Sequence, residues 1–161
     1  MPDSSLTNTG LCNSTALRKA TRRLSQLYDD VLAPSGLRST QHSLMSQIER
    51  TGDLTVSELA EALVMDCSAL THTLKLMERD GLVARARNPH DGRSRLVTLT
   101  KAGRAKLASS KRLWSQAQRR FEAADGPEHA RALRHALASI ASERFVDAFS
   151  YATRRARPSQ V

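Results

Sequence analysis

Residues 55–100 constrain the fold more than any other part of the chain. The segment contains two short amphipathic helices separated by a tight turn, then two short runs of alternating apolar residues around a charged loop. In order, these four elements occupy 55–63, about 67–80, 82–87 and 96–99. Two helices followed by a basic β-hairpin predict a winged helix-turn-helix.

Local stop and start signals support these boundaries. Thr55 and Glu58 have the spacing of a capping box, in which each side chain satisfies a free backbone N–H of the first helical turn. Asp66 is placed to cap the second helix, and Gly81 follows it where a left-handed residue is needed. Thr100 is placed to cap a further helix after the hairpin.

Helices with apolar stripes flank the segment on both sides. Two helices are predicted before the segment: one begins near Thr15 with Asn13 or Ser14 as its cap, and the other follows a cap at Ser39 or Thr40. Two more are predicted after it. They begin at Lys101 and at Pro127, and the second continues to about Ala152. Leu107, Trp114 and Phe121 recur at intervals of seven, which indicates helix-on-helix packing.

The stripes at the two ends of the chain are wider than one small winged domain needs, so we expect them to form a dimer interface. The predicted class is mainly α with a small β-wing. The predicted organisation is a disordered N-terminus at 1–11, one domain at 12–152 with dimerisation helices at 12–38 and 101–152 around a winged segment at 39–100, and a basic tail at 153–161.

The charge of the chain favours a polyanionic partner. The net charge is +9 over 161 residues with a pI of about 10.5, and each cation that meets a phosphate releases condensed counterions. Residues 81–101 contain five Lys or Arg and only one Asp, so the excess positive charge is concentrated at the hairpin. Aromatic residues make up only 4%, which argues against stacking on single-stranded bases and favours duplex DNA.

Other classes of protein receive little support from the sequence. No apolar run is long enough to span a bilayer and no signal peptide is visible, so we expect a cytoplasmic protein without a membrane partner. We find no phosphate-binding glycine loop, no nucleophile elbow and no metal-ligand spacing among the five His residues. We therefore expect no catalysis, no metal and no cofactor.

The chain resembles the MarR family of transcriptional regulators over about residues 12–150. The matches are clearest at 63–83 (LVMDCSALTHTLKLMERDGLV) and 91–103 (DGRSRLVTLTKAG). The resemblance implies a homodimer that binds a palindromic operator and represses promoters. It further implies that the protein dissociates from the DNA when it binds a small molecule or is oxidised.

Within this fold the helix after Asp66 is expected to enter the major groove, since Leu70, Leu74 and Met77 share its opposite, apolar face. The expected DNA-contacting residues of the helix are Ser68, Ala69, Thr71, His72 and Lys75. Members of the family often have Arg at the positions of Cys67 and His72, so the base preference of this chain should differ.

The resemblance further implies that Arg93 of the wing enters the minor groove and that Asp91 holds its guanidinium. A narrow groove concentrates negative potential, which favours Arg. Arg95 is the alternative for the groove or a phosphate contact, and Arg85 and Arg87 are expected to contact phosphate or to be solvated.

An effector pocket is expected between the dimerisation helices and the winged segment. Its candidate lining residues are Arg18, Tyr28, His42 and Met45, with Arg18 placed to pair with an aromatic acid. Cys12 is a candidate oxidant sensor, although the family's sensor position falls on Ser14. Two alternatives therefore stay open beside a ligand-released repressor: a thiol-based regulator and a non-specific DNA-compacting protein. An adaptor that binds protein partners through the helical ends leaves the charge of the wing unexplained.

Overall fold

A computed structural model describes residues 12–89 and 91–155, with side chains described as far as Ala152. Within these residues, seven α-helices and a small antiparallel sheet confirm the predicted class. The helices are α1 Asn13–Leu32, α2 Ser39–Thr51, α3 Val56–Ala62, α4 Cys67–Arg79, α5 Lys101–Asp125, α6 Pro127–Ile140 and α7 Glu143–Arg155, and the strands are β1 Leu54–Thr55, β2 Val83–Arg87 and β3 Arg95–Leu99. The expectations for 1–11 and 156–161 lie outside the described residues.

Contacts divide the chain into two compact units that meet within α5, between Ala117 and Gln118. The first unit contains α1 to α4, the whole sheet and the first part of α5. The second contains the end of α5 with α6 and α7. The finer division into dimerisation helices and a winged segment stays a prediction.

The capping signals around the two winged-segment helices are confirmed. Thr55 Oγ1 accepts the Glu58 N–H at 3.2 Å, and Glu58 Oε2 accepts the Thr55 N–H at 2.8 Å. Asp66 Oδ1 accepts from the backbone N–H groups of the second and third residues of α4. Gly81 ends the helix with φ +69°, and Leu82 N–H donates back to the carbonyl of Met77, which completes a Schellman motif.

Two predicted caps are wrong: α1 has no side-chain cap, and the first N–H of α2 is satisfied by a residue of another helix. Cys12, not Asn13 or Ser14, precedes the first turn of α1. Arg38 precedes α2, and the N–H of its first residue, Ser39, donates to Asp29 Oδ1 of α1 at 2.6 Å. The Asp29 carboxylate of the preceding helix therefore accepts the N–H that a hydroxyl of Ser39 or Thr40 was expected to help satisfy.

The single last helix predicted from Pro127 to about Ala152 is two helices. α6 ends at Ile140, and Ser142 starts α7 by accepting the N–H of Phe145 on its hydroxyl at 3.3 Å. The Ser-Glu pair at 142–143 was an available start signal, since Ser is a preferred cap and Glu is favoured in a first turn.

The sheet has three strands in the order β1-β3-β2, all antiparallel. The wing strands β2 and β3 agree closely with the predicted segments, whereas β1, which pairs Leu54 with Val97, was not predicted. Val97 in the central strand is 1% exposed and belongs to one core cluster with Leu59 of α3 and Leu74 of α4. The sheet thus fixes the hairpin against the helix-turn-helix.

The start of α5 is attached to the turn that follows α4. Thr100 donates its N–H to the carbonyl of Leu82 at 3.1 Å and its hydroxyl to the carbonyl of Gly81 at 2.6 Å. Thr100 Oγ1 in turn accepts the N–H of Gly103, as predicted for a cap. Gly103 lies so close to Leu82 that a Cβ there would stand 1.9 Å from its carbonyl oxygen.

No helix in the described part of the chain is both long enough and apolar enough to cross a bilayer.

Candidate functional site

α4 presents a polar face to solvent. Leu70, Leu74 and Met77 are fully buried on its inner side, so the residues on the opposite face point outward. Thr71 is half-buried, and the other predicted contact residues of this helix, Ser68, Ala69, His72 and Lys75, are exposed. A shallow surface depression is lined by Cys67 together with Ser68, Thr71, His72 and Lys75.

The tip of the wing is organised by Asp91 in a way that differs from the prediction. Asp91 Oδ1 accepts the backbone N–H of Arg93 at 3.0 Å, and its carbonyl accepts the N–H of Ser94 at 3.1 Å. Asn88 closes the loop by donating its side-chain amide to Ser94 Oγ at 2.8 Å. The carboxylate therefore fixes the loop backbone, as Asp does in turns, and in this structure does not hold the Arg93 guanidinium.

Three arginines of the wing have exposed side chains. Arg87 and Arg95 face each other across β2 and β3, and Arg93 lies at the tip. No ion pair within residues 12–89 and 91–152 involves any of the three. Like charges opposite each other destabilise a β-hairpin, so this arrangement favours an anion that neutralises them.

Arg85 differs from the other wing arginines. Its side chain is 26% exposed, and Nε lies 3.3 Å from Glu78 Oε1 of α4. Nε and Nη2 are buried without an aligned hydrogen bond. The expectation of a solvated charge is wrong for Arg85, because its ion pair ties the first wing strand to α4.

A cleft lies behind α4, open on one side, with a volume of about 520 Å³. Residues from α1, α2, α4 and α5 line it, together with the turn between α3 and α4. Five apolar side chains form part of its wall: Leu24, Leu44, Leu63, Met65 and Trp114. The cleft thus contacts both the flanking helices and the helix-turn-helix.

Trp114 of α5 forms an aromatic cluster at this wall. Its ring stacks on His42 with centroids 4.3 Å apart and meets Tyr28 edge-on at 5.1 Å. These contacts are made within one chain and join α5 to α1 and α2. The three rings come from three separate helices, so no spacing in the sequence predicts that they meet.

His42 is buried and held in one orientation. Ser110 Oγ donates to the Leu107 carbonyl at 2.7 Å, so toward His42 Nδ1, at 2.9 Å, it acts as the acceptor and the histidine donates. Burial lowers the pKa of His42, the positive charge of Lys111 lowers it further, and Glu49 partly opposes this. The neutral imidazole is therefore the stable form in the folded protein.

Of the four predicted pocket residues, Tyr28 alone lines the cleft. His42 lies behind Trp114, Met45 is fully buried in the core, and Arg18 is exposed on α1 without reaching the cleft wall. Sequence reasoning missed the polar part of the wall. It consists of the hydroxyl residues Thr21, Ser25, Ser39, Thr40, Ser43 and Thr73.

Cys12 is exposed just before α1, with Sγ 3.1 Å from Thr15 Oγ1. Hydrogen bonds from the side chain and the backbone of Thr15 lower the pKa of the Cys12 thiol. Cys67, the other free cysteine, is exposed at the start of α4.

Comparisons with known proteins agree with this architecture. The family model of the MarR family matches residues 37–94. The chain is 34% identical over 80 residues to YdgJ of Bacillus subtilis, an uncharacterised HTH-type transcriptional regulator, which is 50% of this chain and 49% of the relative. Such alignments span about half to two thirds of the length of the curated relatives.

Solved structures match over nearly the whole chain. The repressor CouR bound to a 23-mer DNA duplex has a TM-score of 0.74 at 30% identity, covering 81% of this chain and 93% of CouR. CouR bound to p-coumaroyl-CoA has a TM-score of 0.73 at 28% identity, covering 82% and 93%. The M. tuberculosis regulator MOSR in complex with DNA has a TM-score of 0.74 at 34% identity, covering 86% and 98%.

The helix-turn-helix with its arginine-rich hairpin defines a winged helix-turn-helix protein. The extent and identity of these matches specify the group further. The chain belongs to the MarR family of transcriptional regulators.

Proposed function

We propose that the protein is a sequence-specific regulator that binds duplex DNA as a homodimer, represses transcription, and is released by a small molecule. The exposed arginines of the wing, which form no ion pair with any residue that the structure describes, carry this proposal. Arg87 and Arg95 are directly opposite each other on β2 and β3, and Arg93 is exposed in the loop of the same hairpin. A polyanion relieves this repulsion, and the phosphates of duplex DNA form such a polyanion.

α4 supplies the sequence reading in this proposal. Its exposed Ser68, His72 and Lys75 and its half-buried Thr71 have the donors and acceptors that reach base edges in the major groove. The arginines of the wing then lie beside the adjacent minor groove or its phosphates. Asp91 acts indirectly, by shaping the loop that presents Arg93.

The second unit offers a surface for a second copy of the chain. Large apolar side chains are exposed on α6 and α7, with Phe149 at 67% and Val146 at 50%. Contiguous exposed apolar surface is uncommon on a monomer and marks an interaction site. Two-fold pairing places two copies of α4 about one DNA turn apart, roughly 34–36 Å, on a palindromic operator.

The cleft behind α4 is the proposed effector site. Leu63 and Met65 place the helix-turn-helix turn in its wall, and Thr73 places α4 there as well. A ligand that fits the cleft better in one arrangement of these elements than in another shifts the population toward that arrangement. Ligand binding then changes the affinity for DNA by some factor, and DNA binding changes the affinity for the ligand by the same factor.

Selection of bound genomic fragments at physiological salt, followed by titration of the enriched sequence, tests this proposal. We expect specific binding at least about 10³-fold tighter than binding to unrelated duplex. Arg93→Ala should lower operator affinity strongly while the unfolding temperature stays unchanged. A ratio near one identifies a non-specific DNA-compacting protein and refutes the proposal.

A second candidate, release by oxidation, rests on the lowered pKa and exposure of Cys12. Operator titration before and after cumene hydroperoxide treatment tests it, with Cys12→Ser as the control. Unchanged affinity of the native chain excludes the oxidant route.

A further inference from the structure

From the lining of the cleft, we infer that the ligand group bound in it is uncharged: a neutral aromatic with hydroxyl or carbonyl substituents, and not the carboxylate of an aromatic acid. This inference rests on the effector site proposed above. It replaces the expectation that Arg18 pairs with an acid, and it specifies what kind of molecule regulates the protein.

The chemistry of the wall is the first argument. The described side chains that line the cleft are hydroxyl or apolar, and none of them is Lys, Arg, His, Asp or Glu. Thr73 already donates its hydroxyl to the Ala69 carbonyl at 3.1 Å, so toward a ligand it acts as an acceptor. Such a wall can exchange hydrogen bonds with hydroxyl or carbonyl groups, but it supplies no cation to compensate a carboxylate that has left water.

The position that suits an anion best is already occupied. α2 begins at the cleft, and a helix N-terminus attracts negative charge through its free N–H groups. Here the Ser39 N–H donates to the Asp29 carboxylate at 2.6 Å, and the Arg38 N–H donates to Gln41 Oε1 at 2.9 Å. The protein's own carboxylate therefore holds the helix terminus and repels a second anion beside Ser39.

The nearby cations do not reach the cleft. Lys19, Arg22 and Arg23 line a separate depression on α1, which shares no residue with the cleft. Arg18 and Arg38 are exposed and stand outside the wall. These groups remain in water, where their attraction for a bound anion is weakened by solvent and salt.

The neighbouring histidine does not act as a hidden cation. His42 is separated from the cleft by the Trp114 ring on which it stacks, and its Nδ1 proton is used by Ser110. Burial and Lys111 lower the pKa of His42, so it is neutral behind the wall. Lys111 itself is paired with Glu49 at 2.8 Å.

Size and shape favour an aromatic ligand. A volume of about 520 Å³ lies within the range of small-molecule sites. Trp114 and Tyr28 supply flat surfaces, and Leu24, Leu44 and Met65 complete an apolar wall. The hydroxyl side chains then orient the polar substituents of the ring.

A matched pair of probes tests the inference on the full-length protein. Methyl 4-hydroxybenzoate and 4-hydroxybenzoate have the same ring and hydroxyl and differ in charge. Trp114 is the single tryptophan of the chain and lines the cleft, so its fluorescence reports binding, with titration calorimetry as a second readout. We expect the ester to bind at least tenfold more tightly than the acid, a difference of about 1.4 kcal/mol or more.

Two variants on α1 sharpen the test. Ser25→Lys places an ammonium group in the wall and should shift the preference toward the acid at least tenfold. Gln26→Lys adds the same charge one residue away, in the separate depression, and should leave the preference unchanged. Circular dichroism confirms that both variants keep their helices.

Several results would overturn the inference. They are equal or tighter binding of the acid by the native protein, binding of neither probe at millimolar concentration, and an equal response of the two lysine variants. DNA binding is measured separately. Failure to bind any duplex while the ester preference holds refutes the proposed function alone, and specific DNA binding with a preference for the acid refutes the ligand class alone.

Discussion

Gly103 provides a test of how the winged segment is attached to α5. Replacing Gly103 with Ala adds a Cβ that would stand 1.9 Å from the carbonyl oxygen of Leu82 and 2.9 Å from its carbonyl carbon. Real Cβ contacts essentially never fall below 3.0 Å, so the first turn of α5 must retreat by about 1 Å or more. The opposing atoms are backbone, so no side chain can rotate away.

The size of the effect follows from what this retreat disturbs. Thr100 makes two hydrogen bonds to the Gly81–Leu82 turn, and Leu82 is itself buried in the core. Each weakened hydrogen bond costs about 1 kcal/mol, and overpacking adds about 1–3 kcal/mol. The better helix propensity of Ala returns about 1 kcal/mol. We expect a net loss of about 2–4 kcal/mol, which at about 2–4 °C per kcal/mol for a chain of this size lowers the unfolding temperature by about 4–16 °C.

Urea and thermal unfolding followed by circular dichroism measure this loss. Ala102→Ser, at the exposed neighbouring position of the same turn, is the control and should change the free energy of unfolding by less than about 0.5 kcal/mol. A Gly103→Ala variant within the same limit would refute the close approach and the reasoning built on it.

Three further predictions concern titration, the wing and the thiol. Burial and Lys111 lower the pKa of His42 in the folded chain, so at acidic pH the unfolded chain binds more protons. The stability contributed by neutral His42 should therefore be fully present above about pH 6.5, the unfolded value, and be lost as pH falls below it through the lowered folded pKa. His42→Gln should flatten this part of a urea-unfolding profile. Arg85→Met should lower operator affinity about tenfold with an unchanged salt slope, since Arg85 positions the wing through Glu78, whereas a residue that contacts phosphate changes the slope. Iodoacetamide should alkylate Cys12 faster than free cysteine at neutral pH, as followed by mass spectrometry, because hydrogen bonds lower the pKa of its thiol.

Each of these has an outcome that contradicts it. An identical pH profile for the native chain and His42→Gln contradicts the titration argument, with His135→Gln at an exposed position as the control. A reduced salt slope for Arg85→Met shows that Arg85 contacts phosphate. An unchanged alkylation rate in Thr15→Val shows that the Thr15 hydroxyl does not activate the thiol.

Signals that lie within a few residues were sufficient to predict much of the fold. The box formed by Thr55 and Glu58, the Asp66 cap and the Gly81 terminus all appear as predicted, because each is an interaction between near neighbours. Apolar periodicity predicted α4 and its outward face correctly, because Leu70, Leu74 and Met77 are buried on the opposite face. The basic character of the wing was predicted from the positive charge that the sequence concentrates around one loop.

Features that depend on contacts distant in sequence could not be predicted. β1 has two residues and exists because Leu54 meets Val97. Asp29 caps a helix ten residues later, and no local pattern indicates it. Arg18 was assigned to the pocket by its chemistry, but which face of α1 lines the cleft is decided by tertiary packing, and that face carries Thr21 and Ser25.

The salt dependence of operator binding tests the central claim most directly. Replacing Arg87, Arg93 and Arg95 with Gln removes six charges from a dimer, and at about 0.9 per phosphate contact the slope of log K against log salt should become shallower by about 2–5. The same change at Arg112, Arg119 and Arg120, which are exposed on α5, removes equal charge from α5 instead of the wing and should leave the slope within about one of the native value. Equal slopes for the native protein and the wing variant, or an equal loss in both variants, would contradict the account.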